Sequence, residues 1–245
     1  MECARLTRYG LLSAKGDDAR EFLHAQLTND IANLPPGRAV LAGWCSAKGR
    51  LLASLVVIPA DDGFLLQLAR DLADGVTKRL SMFILRSKVK ITNESEAWAQ
   101  FGLWGADVAG EPFAVSRNGK ITVNVADKRA LLLLPVSSAL PATTASEADW
   151  TLQEIRAGRA LITGATQDLF VPQMVNFDQL GAVDFRKGCF PGQEIVARAR
   201  YRGQVKRRLV RMPAPAGAEL RPGQELNGGV VVDSALGEVL AVMPV

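Results

Sequence analysis

Short apolar runs alternate with polar turns along this chain, and the pattern predicts most of its elements. Residues 6–14 read as a first strand, with Tyr9, Leu11 and Leu12 as bulky members. Gly16-Asp17-Asp18 breaks that strand and offers a helix N-cap. Ala19, Phe22, Leu23, Gln26 and Leu27 then recur at helical spacing, which predicts an amphipathic helix over 18–27. Pro35-Pro36-Gly37 is a turn, and residues 39–45 and 50–58 read as two strands joined by a hairpin at Ala47-Lys48-Gly49. The second of these is apolar almost without interruption from Leu51 to Ile58, so it is expected to be covered on both faces. A strand over 64–68 follows the Asp61-Asp62-Gly63 turn. A helix over 71–85 follows from the spacing of Leu72, Val76, Leu80 and Phe83.

Residues 88–92, 98–104, 121–125 and 130–134 are further strands, punctuated by Gly105, Gly110-Glu111-Pro112 and Asn118-Gly119. Residues 141–146 read as a connector. Trp150, Ile155 and Ala157 give the apolar side of a helix over 147–158. From Gln204 onward the character changes to short strands (205–212, 225–226, 230–233, 238–243) between Pro and Gly turns, the pattern of a small β module. The expected fold class is therefore α+β, with helices packed on mainly antiparallel sheets. The expected organisation is a main domain over 1–203 and a C-terminal β module over 204–245.

Composition narrows the function class. Of 245 residues, 48% are hydrophobic and 22% charged, ordinary for a globular protein with a real core. Three widely spaced cysteines, Cys3, Cys45 and Cys189, form no CxxC pair. That argues against a closed zinc site and a disulfide scaffold, and for a reducing compartment. No charged-then-apolar leader opens the chain, and its longest greasy run, 130–135, is too short for a bilayer. A cytoplasmic protein with no membrane partner is expected. His24 is the single histidine, which removes multi-histidine metal sites; it has no evident partner nearby in sequence and is read as structural. No GxSxG elbow appears.

The net charge of +4 is concentrated in one place. Between Arg186 and Arg211 lie nine basic residues against one acid, Glu194. Either this is a solvated basic face, or it is an anion site in which Arg198, Arg200 and Arg202 hold phosphate, polyglutamate or RNA. Phe190 and Tyr201 are the aromatics counted within it, too few to predict a stacking platform for single strands.

The run opens with Arg186-Lys187-Gly188-Cys189-Phe190-Pro191-Gly192-Gln193-Glu194. Pro191 suits a first helical turn, and a helix beginning there places Cys189 at its positive end beside Lys187 and Arg186. Both influences favour thiolate, making Cys189 a candidate nucleophile or soft metal ligand. The other reading is a tight turn in which Gly188 and Gly192 supply unusual backbone angles and Cys189 is a small apolar filler.

Three stretches carry a family resemblance: Val171-Pro172-Gln173-Met174-Val175-Asn176, the run from Asp184 to Arg198, and Tyr201-Arg202-Gly203. Together they resemble the signature of the YgfZ-type folate-binding proteins, and Gly16 to Asp30 looks like the opening of the same family. These are iron–sulfur cluster assembly or repair factors, also described as tRNA-modifying, and relatives of the glycine-cleavage T-protein. The resemblance implies a T-protein-like domain around a central cavity for tetrahydrofolate, and a barrel-like C-terminal module. It also implies iron–sulfur proteins or their assembly machinery, and tRNA, as partners.

Within that resemblance Tyr9 and Trp150 fall at the folate-associated aromatic positions, Tyr9 where the family can carry tryptophan. Cys189 becomes the key functional group, with Lys187 beside it. Gly188 and Gly192 shape the turn, and Gln193 and Glu194 fix it through backbone or Lys187 contacts. The acidic pair of the aminomethyltransferase relatives falls on Ala53 and Ser54, neither of which can act as a carboxylate. The remaining alternatives are a folate-dependent aminomethyl- or methyltransferase and a non-catalytic RNA-binding or scaffold protein.

Overall fold

The computed structural model describes residues 1–105, 111–126, 128–201, 203 and 205–245. Gly110, Arg202 and Gln204 lie outside the described residues. Fourteen strands and four α-helices are described. The first part of the chain gives β1 (Glu2–Arg5), β2 (Tyr9–Lys15), α1 (Ala19–Gln26), β3 (Val40–Cys45), β4 (Leu51–Ala60), β5 (Gly63–Ala69), α2 (Ala73–Ser81) and β6 (Lys90–Asn93). The middle gives β7 (Trp98–Trp104), β8 (Val115–Arg117), β9 (Ile121–Ala126), β10 (Arg129–Pro135) and α3 (Glu147–Arg156). The last part gives α4 (Gln193–Tyr201), β11 (Arg207–Pro213), β12 (Glu225–Leu226), β13 (Gly229–Ala235) and β14 (Glu238–Pro244). Short 3-10 turns cover Arg70–Leu72 and Pro172–Val175.

These strands form three sheets, in the orders β1-β7-β10-β9-β8, β3-β4-β5-β2-β6 and β11-β14-β13-β12. The chain divides into two compact units. One holds Met1–Phe22, Ala32–Val40 and Val56–Trp150; the other holds Leu23–Ile31, Leu41–Leu55 and Thr151–Val245. Strand β4 gives its first half to the second unit and its second half to the first.

In the first unit, sheet β1-β7-β10-β9-β8 buries Cys3, Ala99, Phe101, Leu132 and Leu134 as one apolar cluster. Strand β1 was not legible in the sequence, and the expected strand over 6–14 starts only at Tyr9. Glu2-Cys3-Ala4-Arg5 is only half apolar, yet pairing with β7 puts Cys3 opposite Leu103 and Ala4 opposite Gly102. The intervening link is held by the Glu147 carboxylate, which accepts from the Thr7 and Arg8 backbone N–H groups at 2.7 and 2.9 Å. The three-residue strand β8 was likewise missed. Strand β4 fulfils the reading of a strand covered on both faces: every residue from Leu51 to Pro59 is buried.

The helix expected over 71–85 is shorter. A 3-10 turn precedes α2, which stops at Ser81, and Phe83, expected on its apolar side, is 47% exposed. The spacing continued for one turn beyond the residues that have something to pack against. Helix α3 stops at Arg156 with Gly158 in the left-handed region (φ +66°), the usual way a helix is closed by glycine.

In the second unit, the C-terminal strands form an antiparallel sheet with β11 and β12 at its edges, over Leu220, Leu226, Val231, Val239 and Ala241. Arg208 of β11 makes a two-pronged contact with Asp178 at 2.8 and 3.1 Å and also donates to the Gln173 carbonyl at 2.8 Å. Asn176, left-handed at φ +60°, donates to the Leu209 carbonyl. Gln173, almost fully buried, donates to the Val196 carbonyl of α4 at 2.6 Å. The segment from 172 to 178 thus ties both β11 and α4 in place.

Candidate functional site

The motif loop runs from Asp184 to Gly192, all within the second unit. Its approach is laced to the end of α1. Thr28 Oγ1 donates to the Ala182 carbonyl at 2.7 Å, Asn29 Nδ2 donates to the Gly181 carbonyl, and the Asp184 N–H donates to the Thr28 carbonyl. Asp184 then accepts the Arg186 N–H at 2.7 Å in a local turn.

The loop's far end is locked sterically. Gly192 sits at φ +77°, and a Cβ there would lie 2.4 Å from the Ser46 carbonyl oxygen and 2.5 Å from Gly49 Cα. Gly49, at φ +68° in the β3–β4 hairpin, faces Ile195 and Gly192 in the same way. Two glycine backbones therefore meet with no side chain between them. Gly188 differs from the expectation: its φ is not positive, and an added Cβ would meet only His24 Nε2, at 3.8 Å.

Of the three cysteines Cys189 is the exposed one, whereas Cys3 and Cys45 are buried. Burial, with the charge of Asp168 adding to it, pushes the Cys45 thiol up to about 12, and burial raises Cys3 as well. The helix does not begin at Pro191 as expected. It begins at Gln193, and the turn 190–192 separates Cys189 from it, so the dipole acts on the thiol from beyond the first turn.

Lys187 lies close enough to Cys189 for their charges to interact, though its head is turned to backbone. It is 9% exposed and turns inward, donating to the His24 carbonyl at 2.6 Å and to the Gly188 carbonyl at 3.3 Å, with its ammonium 4.9 Å from the centre of the Phe190 ring. It caps the C-terminal end of α1, where a cation is favourable. Desolvation lowers it from 10.5 to about 8; Asp30, Asp184 and Cys189 oppose the shift.

The loop also brings in two groups whose part was not foreseen. His24 Nδ1 lies 3.2 Å from Asp30 Oδ1, both about a quarter exposed, so the single histidine has a carboxylate partner six residues on. The chain doubles back after α1, which helical spacing alone does not reveal.

Four members of the basic run have an acid within 4.0 Å, and the Arg208–Asp178 pair is the one with both partners mostly buried. Arg208 is held by Asp178, Arg211 lies 3.7 Å from Glu238, Arg186 lies 3.8 Å from Asp184, and Arg198 pairs with Glu194 at 3.0 Å. Glu194 therefore serves Arg198 rather than Lys187, while Gln193 Nε2 reaches the Gly188 carbonyl at 3.5 Å. Arg200 is different: its guanidinium sits over the Phe185 ring at 4.1 Å.

The two aromatics expected to meet folate lie in the first unit. Tyr9 is 6% exposed in β2, and its carbonyl accepts from Gln100, which also accepts from Gln67 at 2.8 Å. Trp150 is 1% exposed. Its ring lies flat on the backbone of β7, where a Cβ on Gly102 would come within 2.3 Å of it. Trp104 is tilted against it at 5.9 Å, and the Arg129 guanidinium is 5.7 Å from its centre. The Trp150 indole N–H has no hydrogen-bond acceptor among the described residues, so a fully buried donor waits for one. At the positions of the relatives' acidic pair, Ala53 is fully buried and the Ser54 hydroxyl accepts the Ile162 N–H at 2.9 Å. Among the described residues no three His, Cys, Asp or Glu side chains are grouped as metal ligands, and no helix is long and apolar enough to cross a membrane.

Comparison with known proteins gives this geometry its context. Residues 6–110 match the model of the GCVT N-terminal domain. The fold superposes on the crystal structure of glycine cleavage system aminomethyltransferase T from Bartonella henselae. The TM-score is 0.75 at 17% identity, over 99% of this chain and 78% of that one. The tRNA-modifying protein YgfZ of Klebsiella pneumoniae is 31% identical over 91% of this chain and 74% of its own length. Its counterpart in Serratia proteamaculans is 32% identical over 86% and 71%. On these matches the chain belongs to the YgfZ family.

Proposed function

We propose that this protein binds tetrahydrofolate and acts in iron–sulfur cluster assembly or repair and the tRNA modification linked to it, with Cys189 as its reacting group. The observation that carries the reading is the setting of Cys189. It is an exposed thiol on a loop clamped at one end by Lys187 and at the other by the Gly49–Gly192 contact. A loop that serves packing alone has no need to fix an exposed sulfur so firmly.

The folate part rests on the T-protein-like fold and on Trp150. A pterin has polar edges and a flat face. The unpaired indole N–H suits an edge acceptor, with Arg129 and Tyr9 as the other candidate contacts. Because Gly102 covers one face of Trp150, the indole contributes its edge rather than a full stacking surface. Aminomethyl transfer is the weaker reading, since Ser54 is committed to backbone and Ala53 offers no acid.

The test uses two variants. Trp150→Phe keeps the packing on Gly102 and removes the donor; tetrahydrofolate affinity, followed by tryptophan fluorescence, should fall at least about five-fold. Cys189→Ala should keep that affinity and lose the ability to support iron–sulfur enzymes in cells lacking this protein. Normal support by Cys189→Ala would make the cysteine structural, and unchanged affinity in Trp150→Phe would remove folate from this site.

A further inference from the structure

Beside the motif loop, on the same unit, lies a cleft of ≈ 460 Å³ lined by Asn29, Asp184, Phe185, Arg186, Arg200 and Tyr201 among others. Its wall is an assembled stack. Phe185 and Tyr201 meet edge to face at 6.3 Å, and the Arg200 guanidinium lies over both rings, 4.1 Å from the first and 5.5 Å from the second. Tyr201 is 68% exposed, so a large aromatic surface stays open. Arg200 has no acidic partner among the described residues. The second cation of the cleft, Arg186, is exposed and touches Asp184 only at 3.8 Å. Asn29 is spent on the floor: its amide donates to the Leu41 and Gly181 carbonyls, and its Oδ1 accepts the Asp30 N–H.

We propose that this cleft is a stacking site for an unpaired nucleobase of single-stranded RNA, with the base on Tyr201 and Arg200 and a flanking phosphate on Arg186. An exposed ring backed by a planar cation is the surface on which bases stack regardless of identity, and arginine is the residue that both stacks and meets phosphate. A duplex is a poor fit, because its bases are already stacked on each other and unavailable to Tyr201. An apolar protein partner is a worse one, because it would have to desolvate Arg200 and Arg186 without pairing them. The cleft uses neither Cys189 nor Trp150, so the proposal goes beyond the cysteine and folate reading and stands or falls separately from it.

The experiment measures binding of fluorescein-labelled poly(U) and of an RNA duplex of the same length, by anisotropy at several salt concentrations. The wild type should bind the single strand more tightly. Tyr201→Ala and Arg200→Ala should each weaken that binding at least about five-fold, while Tyr201→Phe retains it. Arg186→Gln should weaken it and make the salt dependence shallower by about one ion. A 2-aminopurine placed in the strand should be quenched on binding to wild type and to Tyr201→Phe, and not on binding to Tyr201→Ala. Because Tyr201 and Arg200 are exposed, these variants should keep the wild-type circular dichroism spectrum and urea midpoint, which checks that they fold without reference to folate. The proposal is overturned if poly(U) does not bind, if Tyr201→Ala and Arg200→Ala bind as wild type does, or if duplex binds as well as single strand.

Discussion

Lys187 anchors the motif loop through the His24 carbonyl, and burial disfavours its ammonium. Its value falls from 10.5 to about 8 in the fold. Between those two pH values the unfolded chain holds a proton on Lys187 that the folded protein has released. The unfolded state then binds more protons, so this residue's contribution to stability rises with pH across that window and is flat below it. Replacing Lys187 by Met abolishes the dependence. The difference in urea midpoint between wild type and Lys187→Met should therefore shift in favour of wild type when measured well inside the window rather than at neutral pH. A difference that stays constant with pH would mean that the ammonium is not desolvated. The same residue sets the direction of the loop: with its head on the His24 carbonyl, the chain must carry Cys189 outward.

At the scale of elements, the β3–β4 hairpin and the start of α4 are held together by an absence of side chains. Gly192→Ala forces a Cβ into a left-handed position and against backbone atoms of Ser46 and Gly49, which cannot swing away as a side chain could. A loss of about 3 kcal/mol is expected, from strained backbone plus overpacking. Gly188→Ala, four residues earlier in the same motif, meets only His24 Nε2 at an ordinary contact distance of 3.8 Å and should cost less than about 1 kcal/mol. Denaturant unfolding of the two variants checks the contrast, and equal losses would mean that the two elements separate easily. The motif's two glycines look alike in the sequence because spacing carries no record of which one a second element approaches.

For the molecule as a whole, at least one cation of the basic run is a structural fastener rather than part of a binding strip. Arg208, half-buried with Asp178, fastens the C-terminal sheet to the segment that also carries α4. Arg208→Ala leaves a carboxylate and a carbonyl without their donor and should cost about 2 kcal/mol. Arg207→Ala, the neighbour on the same strand with no ion pair among the described residues, should stay within about 0.5 kcal/mol of wild type. Urea denaturation of both reads the difference, and a loss shared equally by the two would show that the pair holds nothing. Among the cations of the basic run that line the cleft, Arg200 is mounted on aromatic rings.

Much of the fold follows from the sequence because its signals are local. The Asp-Gly turn that opens β5, the unbroken apolar run of β4, the spacing within α1 and α3 and the Pro-Gly turns of the last forty residues each report the environment of neighbouring positions. The motif that carries Cys189 is legible too, since it is contiguous, and the structure leaves that cysteine exposed while burying the other two. What the sequence leaves open depends on residues far apart. Strand β1 exists because β7 offers it a partner, and α2 stops where its packing ends. His24 finds Asp30 only after a reversal of the chain. Phe190, counted with Tyr201 as one of two aromatics too few for a stacking platform, is buried under Lys187, while Phe185, outside that count, lies beside Arg200. Local pattern determines which residues can face inward or outward; which of them meet is decided by tertiary packing, because the direction of a side chain is fixed by what fills the space around it.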